Sequence, residues 1–252
     1  ELTTDDMVQL EKPGFGNDFV PEAFGELLGV ALGDGCITHG RDEDFLFVTL
    51  GQEEQGVAER LRGGIDTCKR WLNSGDARGL RETNVTQTQT GLRVGTSVSA
   101  VLDKLREFAS LESKAVGKQF TDRVFDLDQP SQAAILRGLF TADGTVANYG
   151  EKSKYVSLDS TSLEMLQQVQ LLLLGFGIKA KLYENRRALG QETAQLPDGQ
   201  GGMKEYRVEQ MHSLRISRQS RVVFEQESGF LAESLKAQRL EKLNRETSAY
   251  SD

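Results

Sequence analysis

Two stretches of this 252-residue chain repeat each other at a fixed offset. They are "LLGVALGDGCI" (27–37) and "LRGLFTADGTV" (136–146). Glycine falls at 29 and 138, a small residue at 33 and 142, and Asp-Gly at 34–35 and 143–144. Pro21 and Pro130 keep the offset, each 13 residues before its acid. Proline is tolerated in the first turn of a helix. Each copy therefore reads as proline, a helix of three to four turns, then Asp-Gly. Interior glycine costs a helix roughly 1 kcal/mol against alanine, so two on one face need a reason.

The flanks repeat as well. After the first copy comes β-rich "FLFVTL" (45–50), then a helical stretch at about 53–72; after the second, "YVSLDS" (155–160), then a helical stretch at about 162–175. "LRVGTSVSAVLDKLREF" (92–108) resembles "LRISRQSRVVFEQESGF" (214–230) at an offset of 122, which pairs Arg93 with Arg215 and, further on, Lys114 with Lys236. The extra residues of the second copy fit an insertion loop at 188–203, "ALGQETAQLPDGQGGM". "VTQTQTGLRV", "KAKLYENRR" and "EYRVEQMHSLRISR" alternate polar and apolar residues, as half-buried strands do. The chain is a duplication. Its expected class is α+β, two pseudo-symmetric subdomains, each an antiparallel sheet with helices on one face. The divisions are an N-terminal segment 1–19, a first subdomain 20–112, a linker 113–129 and a second subdomain 130–252.

Small residues four apart let two helix backbones approach closely. Gly29 with Gly33, and Gly138 with Ala142, form matching faces, so the two motif helices should pack on each other about a pseudo-two-fold axis. Asp34 and Asp143 then meet at the helix C-termini. Like charges there repel, and the helix dipoles add to the cost. A divalent hard cation held by the carboxylates and by backbone oxygens, those of Gly33 and Ala142, would neutralise them. Metals near a symmetry axis suit in-line displacement at phosphorus.

The net charge of −8 argues against a generic nucleic-acid binder, but the charge is uneven. Residues 60–93 hold seven basic against three acidic residues, and 179–221 nine against five, each a net of +4. No apolar run reaches the roughly 18–20 residues of a membrane span, and no signal segment opens the chain. Cys36 and Cys68 lack metal-ligand spacing and read as small buried thiols of a reducing, cytoplasmic compartment.

The motifs "LLGVALGDG" and "LRGLFTADG", with their repeated context over residues 20–245, resemble the two motifs of a single-chain LAGLIDADG homing endonuclease of the kind found in inteins. The resemblance implies a monomeric, site-specific double-strand DNA endonuclease. Its motif helices form the subdomain interface, its sheets form a saddle that reads the major groove of a long asymmetric target, and its motif acids bind Mg²⁺ (Mn²⁺ as a substitute) to cut across the minor groove. The acids carried over are Asp34 and Asp143. A second acid common in the motif is replaced here by Leu32 and Thr141. A basic residue near the scissile phosphates is also implied, with Lys181, Arg93 and Arg215 as its candidates. Side chains suited to base edges and phosphates lie in the basic tracts: Arg81, Asn84, Thr86, Gln87, Gln89 and Arg93 in the first, Lys179, Lys181, Asn185, Arg186, Arg187, Arg207, Arg215 and Arg218 in the second.

Neither a Cys or Ser at the start nor a His-Asn end is present, so the expectation is a freestanding enzyme or an endonuclease domain taken from an intein. The alternative is a LAGLIDADG protein that binds DNA, or assists RNA folding, without cutting. A small-molecule enzyme is disfavoured, because no GxGxxG, P-loop or Ser/His/Asp spacing is visible.

Overall fold

The computed structural model describes residues 12–41, 43–73, 82–111, 115–150, 153–187, 191, 193–197 and 202–248. The first half runs α1 (Glu22–Asp34), β1 (Gly35–His39), β2 (Asp44–Leu50), α2 (Gln55–Leu72), β3 (Thr86–Gln87), β4 (Leu92–Thr96), α3 (Ser99–Arg106) and a two-residue strand β5 (Ala109–Ser110) that pairs with β6 (Gln119–Phe120). The second half runs α4 (Gln129–Asp143), β7 (Gly144–Asn148), β8 (Lys154–Ser160), α5 (Leu163–Gly175), β9 (Ala180–Tyr183), β10 (Thr193–Pro197), β11 (Met203–Arg207), β12 (His212–Ser217), α6 (Gln219–Glu227) and α7 (Leu235–Ser248).

The two four-stranded sheets share one topology. Their orders are β1-β2-β4-β3 and β7-β8-β12-β9, antiparallel throughout. Strand alternation sorts the side chains. Leu46, Val48 and Leu50 of β2 and Leu92 and Val94 of β4 face the core, while Thr49 and Arg93 face outward. In the second sheet Val156, Leu158, Leu214 and Ile216 face inward. The structure is the expected α+β pair of pseudo-symmetric halves, each with its helices on one sheet face.

The halves join through α1 and α4. Almost the whole of α1, Phe24 to Leu32, is buried. A Cβ built on Gly29 would lie 2.1 Å from the Ile135 carbonyl oxygen, and one on Gly138 2.1 Å from that of Glu26. The glycines are there because backbone occupies the space a side chain would take. Near their N-termini the helices are stitched by Ser131, whose hydroxyl accepts from the Val20 amide (3.0 Å) and donates to the Val20 carbonyl (3.1 Å). Asp128 caps α4 by accepting from the Ser131 amide.

Three sequence expectations are corrected. Residues 193–197, assigned to an insertion loop, form a strand that pairs with β11 as a hairpin between β9 and β12. Cys36 is exposed on β1; only Cys68 is buried. The pairing of Arg93 with Arg215 is out of register. Val48 and Leu158 hold the same place, each opposite the glycine after a motif acid. Arg93 lies opposite Thr49, one residue beyond Val48, whereas Arg215 lies opposite Ser157, one residue before Leu158. The register equivalent of Arg215 is Gly95, and the offset between these strands is 120 rather than 122.

Candidate active site

Each motif helix ends at its acid, and the next residue starts a strand. Gly35 and Gly144 are extended (φ −72° and −70°). Their need for glycine is spatial: a Cβ would lie 2.3 Å from the Ala31 carbonyl oxygen at Gly35 and 2.4 Å from the Phe140 carbonyl oxygen at Gly144. The close helix packing brings the ends together. A Cβ on Gly33 would sit 3.2 Å from an Asp143 carboxylate oxygen, so Asp143 reaches across to the other half. The two carboxyls act on each other: Asp143 is among the groups that set the Asp34 titration, and the Asp34 charge is among those that raise Asp143.

Burial and mutual repulsion favour the protonated form of both acids. Asp143 is pushed up to about 6, first by loss of water around it and then by the Asp34 charge, with Asp159 adding. Asp34 is also raised, mainly by desolvation. Two cations oppose the rise at both acids, Lys118 and Lys236. Their own ammoniums are lowered by desolvation.

These lysines are placed alike. Lys118 donates to the Gly33 and Gly35 carbonyls, both at 2.9 Å. Lys236, at the start of α7, donates to the Thr141 carbonyl at 2.6 Å and the Ala142 carbonyl at 2.7 Å. Each caps the C-terminal end of a motif helix, where free carbonyls and the negative dipole end favour a cation. Neither was a candidate from sequence. The repeat paired Lys236 with Lys114, which lies outside the described residues, and the residue that fills the role is Lys118, four positions on. A lysine downstream of both motifs was the available signal.

The predicted basic candidates stand elsewhere. Arg93, Lys181 and Arg215 face outward from β4, β9 and β12, and none of them is among the leading charges acting on either acid. Of the predicted DNA-contacting residues, Asn84, Thr86, Gln87, Gln89, Lys179, Asn185, Arg186, Arg207 and Arg218 are exposed on the sheets or their adjoining loops. Arg187 is half-buried, Gln87 pairs with inward-facing Leu92 at the sheet edge, and Arg81 lies outside the described residues.

Among the described residues no group of three or more His, Cys, Asp or Glu side chains could hold a metal. Two carboxylates kept together against repulsion, with the Gly33 and Ala142 carbonyls beside them, nevertheless make an all-oxygen donor set that fits a hard divalent cation. Such an ion would offset the repulsion between the two carboxylates.

Residues 130–229 match the family model described as a LAGLIDADG-like domain. The fold is also that of a solved structure of mesophilic variants of the homing endonuclease I-DmoI, with a TM-score of 0.51, 16% identity, and 81% of this chain and 88% of that chain covered. Full-length DUF199/WhiA from Thermatoga maritima is similar at a TM-score of 0.50 and 16% identity, over 92% of this chain and 61% of that one. Residues 130–229 thus carry a LAGLIDADG-like domain, and the paired motif helices and matched sheets give the whole chain the two-half LAGLIDADG fold. Over 229 residues it is 31% identical to the ribonucleoside-diphosphate reductase NrdEB subunit alpha of Bacillus subtilis (strain 168) and to that of Bacillus phage SPbeta. The match takes in 89% of this chain but only 21% of those proteins, so the chain spans about a fifth of the length of the curated relatives it matches. No described helix is long and apolar enough to cross a membrane.

Proposed function

We propose that this protein is a site-specific, divalent-metal-dependent endonuclease that cuts both strands of a long asymmetric DNA target, acting as a monomer. The observation that carries the reading is the acid pair, Asp34 and Asp143, one from each half, brought together at the ends of the packed helices and flanked by Lys118 and Lys236. A Mg²⁺ ion held by the two carboxylates would supply Lewis acidity and an activated water. The chain's own part is positioning and charge. The glycine-packed helices fix the carboxylates. Lys118 and Lys236 keep two ammoniums where negative charge builds on a scissile phosphate. The outward sheet faces hold the duplex through Arg, Lys, Gln, Asn and Thr side chains.

The curated relatives support a context for the target. A nuclease-type segment that matches a fifth of a ribonucleotide reductase subunit is foreign to reductase chemistry. We take this chain to be intein-type, carried within such a subunit, with its target in the uninterrupted gene for that protein.

The non-cutting reading has one observation in its favour: the Gly33 and Ala142 carbonyls already accept from lysine ammoniums. A carbonyl has two lone pairs and can serve both partners. The test is linearisation of a plasmid carrying the uninterrupted gene segment, with Mg²⁺. Wild type should linearise it, while Asp34→Asn and Asp143→Asn should bind but not cut. Equal binding by all three with no cutting by wild type would overturn the enzyme reading.

A further inference from the structure

The outward faces of the two sheets are chemically unequal. The groove on the first sheet is lined by Lys69 and Arg93 against Glu43 and Glu82, and Lys69 is committed to Asp66 and Thr83. The groove on the second sheet is lined by Lys154, Lys181, Arg215, Arg218 and Arg221, and among the described residues by no acid; Arg221 is committed to Asn244, Thr247 and the Lys154 carbonyl.

At its centre Arg215 is held in one pose. It sits on β12 between β8 and β9, opposite Ser157 on one side and Lys181 on the other. Tyr155 of β8 and Tyr183 of β9 lie diagonally across from it, toward opposite ends of the strands. The guanidinium carbon is 4.5 Å from the Tyr155 ring centre and 4.8 Å from that of Tyr183. Cation–π contact with two rings restricts where the guanidinium can sit. The Nε donates to the Ser213 hydroxyl at 3.3 Å. Among the described residues no carboxylate pairs with Arg215 and its two terminal nitrogens have no hydrogen-bond partner. Among the described residues the first half has no such clamp. Gly95 holds the equivalent place, and Arg93 stacks on one ring, Phe47, at 4.4 Å.

A guanidinium flanked by two aromatic rings, with both terminal nitrogens free, presents its end-on edge, two parallel donors. The base edge that matches it in a major groove is guanine, with the O6 and N7 acceptors. We propose that Arg215 reads a guanine in the half-site held by the second half, and that this clamp sets the register of the protein on its target. Lys154, Lys181 and Arg218 supply phosphate attraction around it. The inference rests on the DNA-binding part of the function proposed above, and not on cleavage.

The test is selection without Mg²⁺ from a pool of duplex DNA with a randomised interior, using the whole chain as wild type, Arg215→Gln and Arg215→Lys. Wild type should enrich sequences with an invariant G·C pair at one position of one half-site. Arg215→Gln should lose that preference and bind the wild-type consensus about tenfold to a hundredfold more weakly. Arg215→Lys keeps the charge but not the planar fork, so it should weaken the preference; because a base contact neutralises no phosphate, both variants should keep the salt slope of wild type, whereas loss of a phosphate contact lowers it by about 1. Arg93→Gln should leave the G·C preference in place. An unchanged preference in Arg215→Gln, with a salt slope lowered by about 1, overturns the guanine assignment, because a phosphate contact behaves that way. A wild type that enriches nothing overturns the DNA reading itself, so the two failures are told apart. Unfolding temperatures matching wild type would confirm that the variants are folded.

Discussion

At the scale of single residues, the acid pair trades stability for function. Asp143 titrates near 6 against an ordinary 3.8, chiefly through lost hydration and the Asp34 charge. Between those pH values the folded chain holds a proton that the unfolded chain has released, so stability falls as pH rises through the window. Above it the full penalty remains. A shift of this size would be about 3 kcal/mol for a dry group, and water at half-buried Asp143 reduces it to about 1–2 kcal/mol. Asp143→Asn should therefore be more stable than wild type by that amount at pH 8 without metal, and the gain should vanish near pH 4. Urea unfolding at the two pH values measures it. Saturating Mg²⁺ should narrow the gap by stabilising wild type alone. The lysines oppose the rise, so Lys236→Met should push both acids higher still. Cleavage by that variant should fall about a hundredfold to a thousandfold, with the acidic limb of its pH profile moved to higher pH. An unmoved limb would separate Lys236 from the acids. The acids were legible in sequence because motif and repeat are local. The lysines were not, because Lys118 and Lys236 come from segments that only the tertiary fold brings to the helix ends.

Among the elements, the motif helices show what sequence periodicity reads well. Proline starts, small-residue faces and Asp-Gly ends gave α1 and α4 almost to their boundaries, and the β-rich runs gave β2 and β8. The reading failed where pairing decides. The two-residue shift between β4 and β12 shows in the hydrogen-bond register alone, and β10 exists through its partner β11 in a stretch rich in turn residues. The glycines give a sharp contrast in stability. At Gly29 a methyl group would meet the Ile135 carbonyl at 2.1 Å and the Leu139 amide at 2.5 Å, and backbone does not yield cheaply. Gly29→Ala should cost about 3 kcal/mol or more. Gly63 lies inside α2 with nothing within 4 Å of a new Cβ. Gly63→Ala should gain about 0.5–1 kcal/mol through helix propensity alone. Chemical denaturation of the two variants side by side decides whether glycine in the motif helix serves packing.

Across the whole molecule, the halves are bound by more than the glycine seam. Glu26 of α1 is 2% exposed. It accepts from Arg60 Nε and NH2 at 2.9 and 2.8 Å within its own half, and from Arg137 of α4 at 3.0 Å across the interface. Arg137 also donates to the Ser228 carbonyl. The apolar core is continuous, with Phe24, Leu28, Leu139 and Phe140 in one cluster that runs through both sheets' inner faces. A duplicated chain with a shared core and a shared buried charge should unfold as one unit. The protein offers its own local probe: its single tryptophan, Trp71, lies in the first half against Phe24, ring centres 5.4 Å apart. Urea curves followed by Trp71 fluorescence and by far-ultraviolet circular dichroism should coincide in wild type. Glu26→Gln leaves two guanidiniums short of a carboxylate. Breaking a buried pair costs about 3–5 kcal/mol, and here the partial exposure of both arginines and the nearness of Glu22 reduce the loss to about 2–3 kcal/mol. Both probes should shift together by that amount. A fluorescence transition that runs ahead of the circular dichroism would mean that the first half melts alone, and that the hub joins halves which do not need each other to fold.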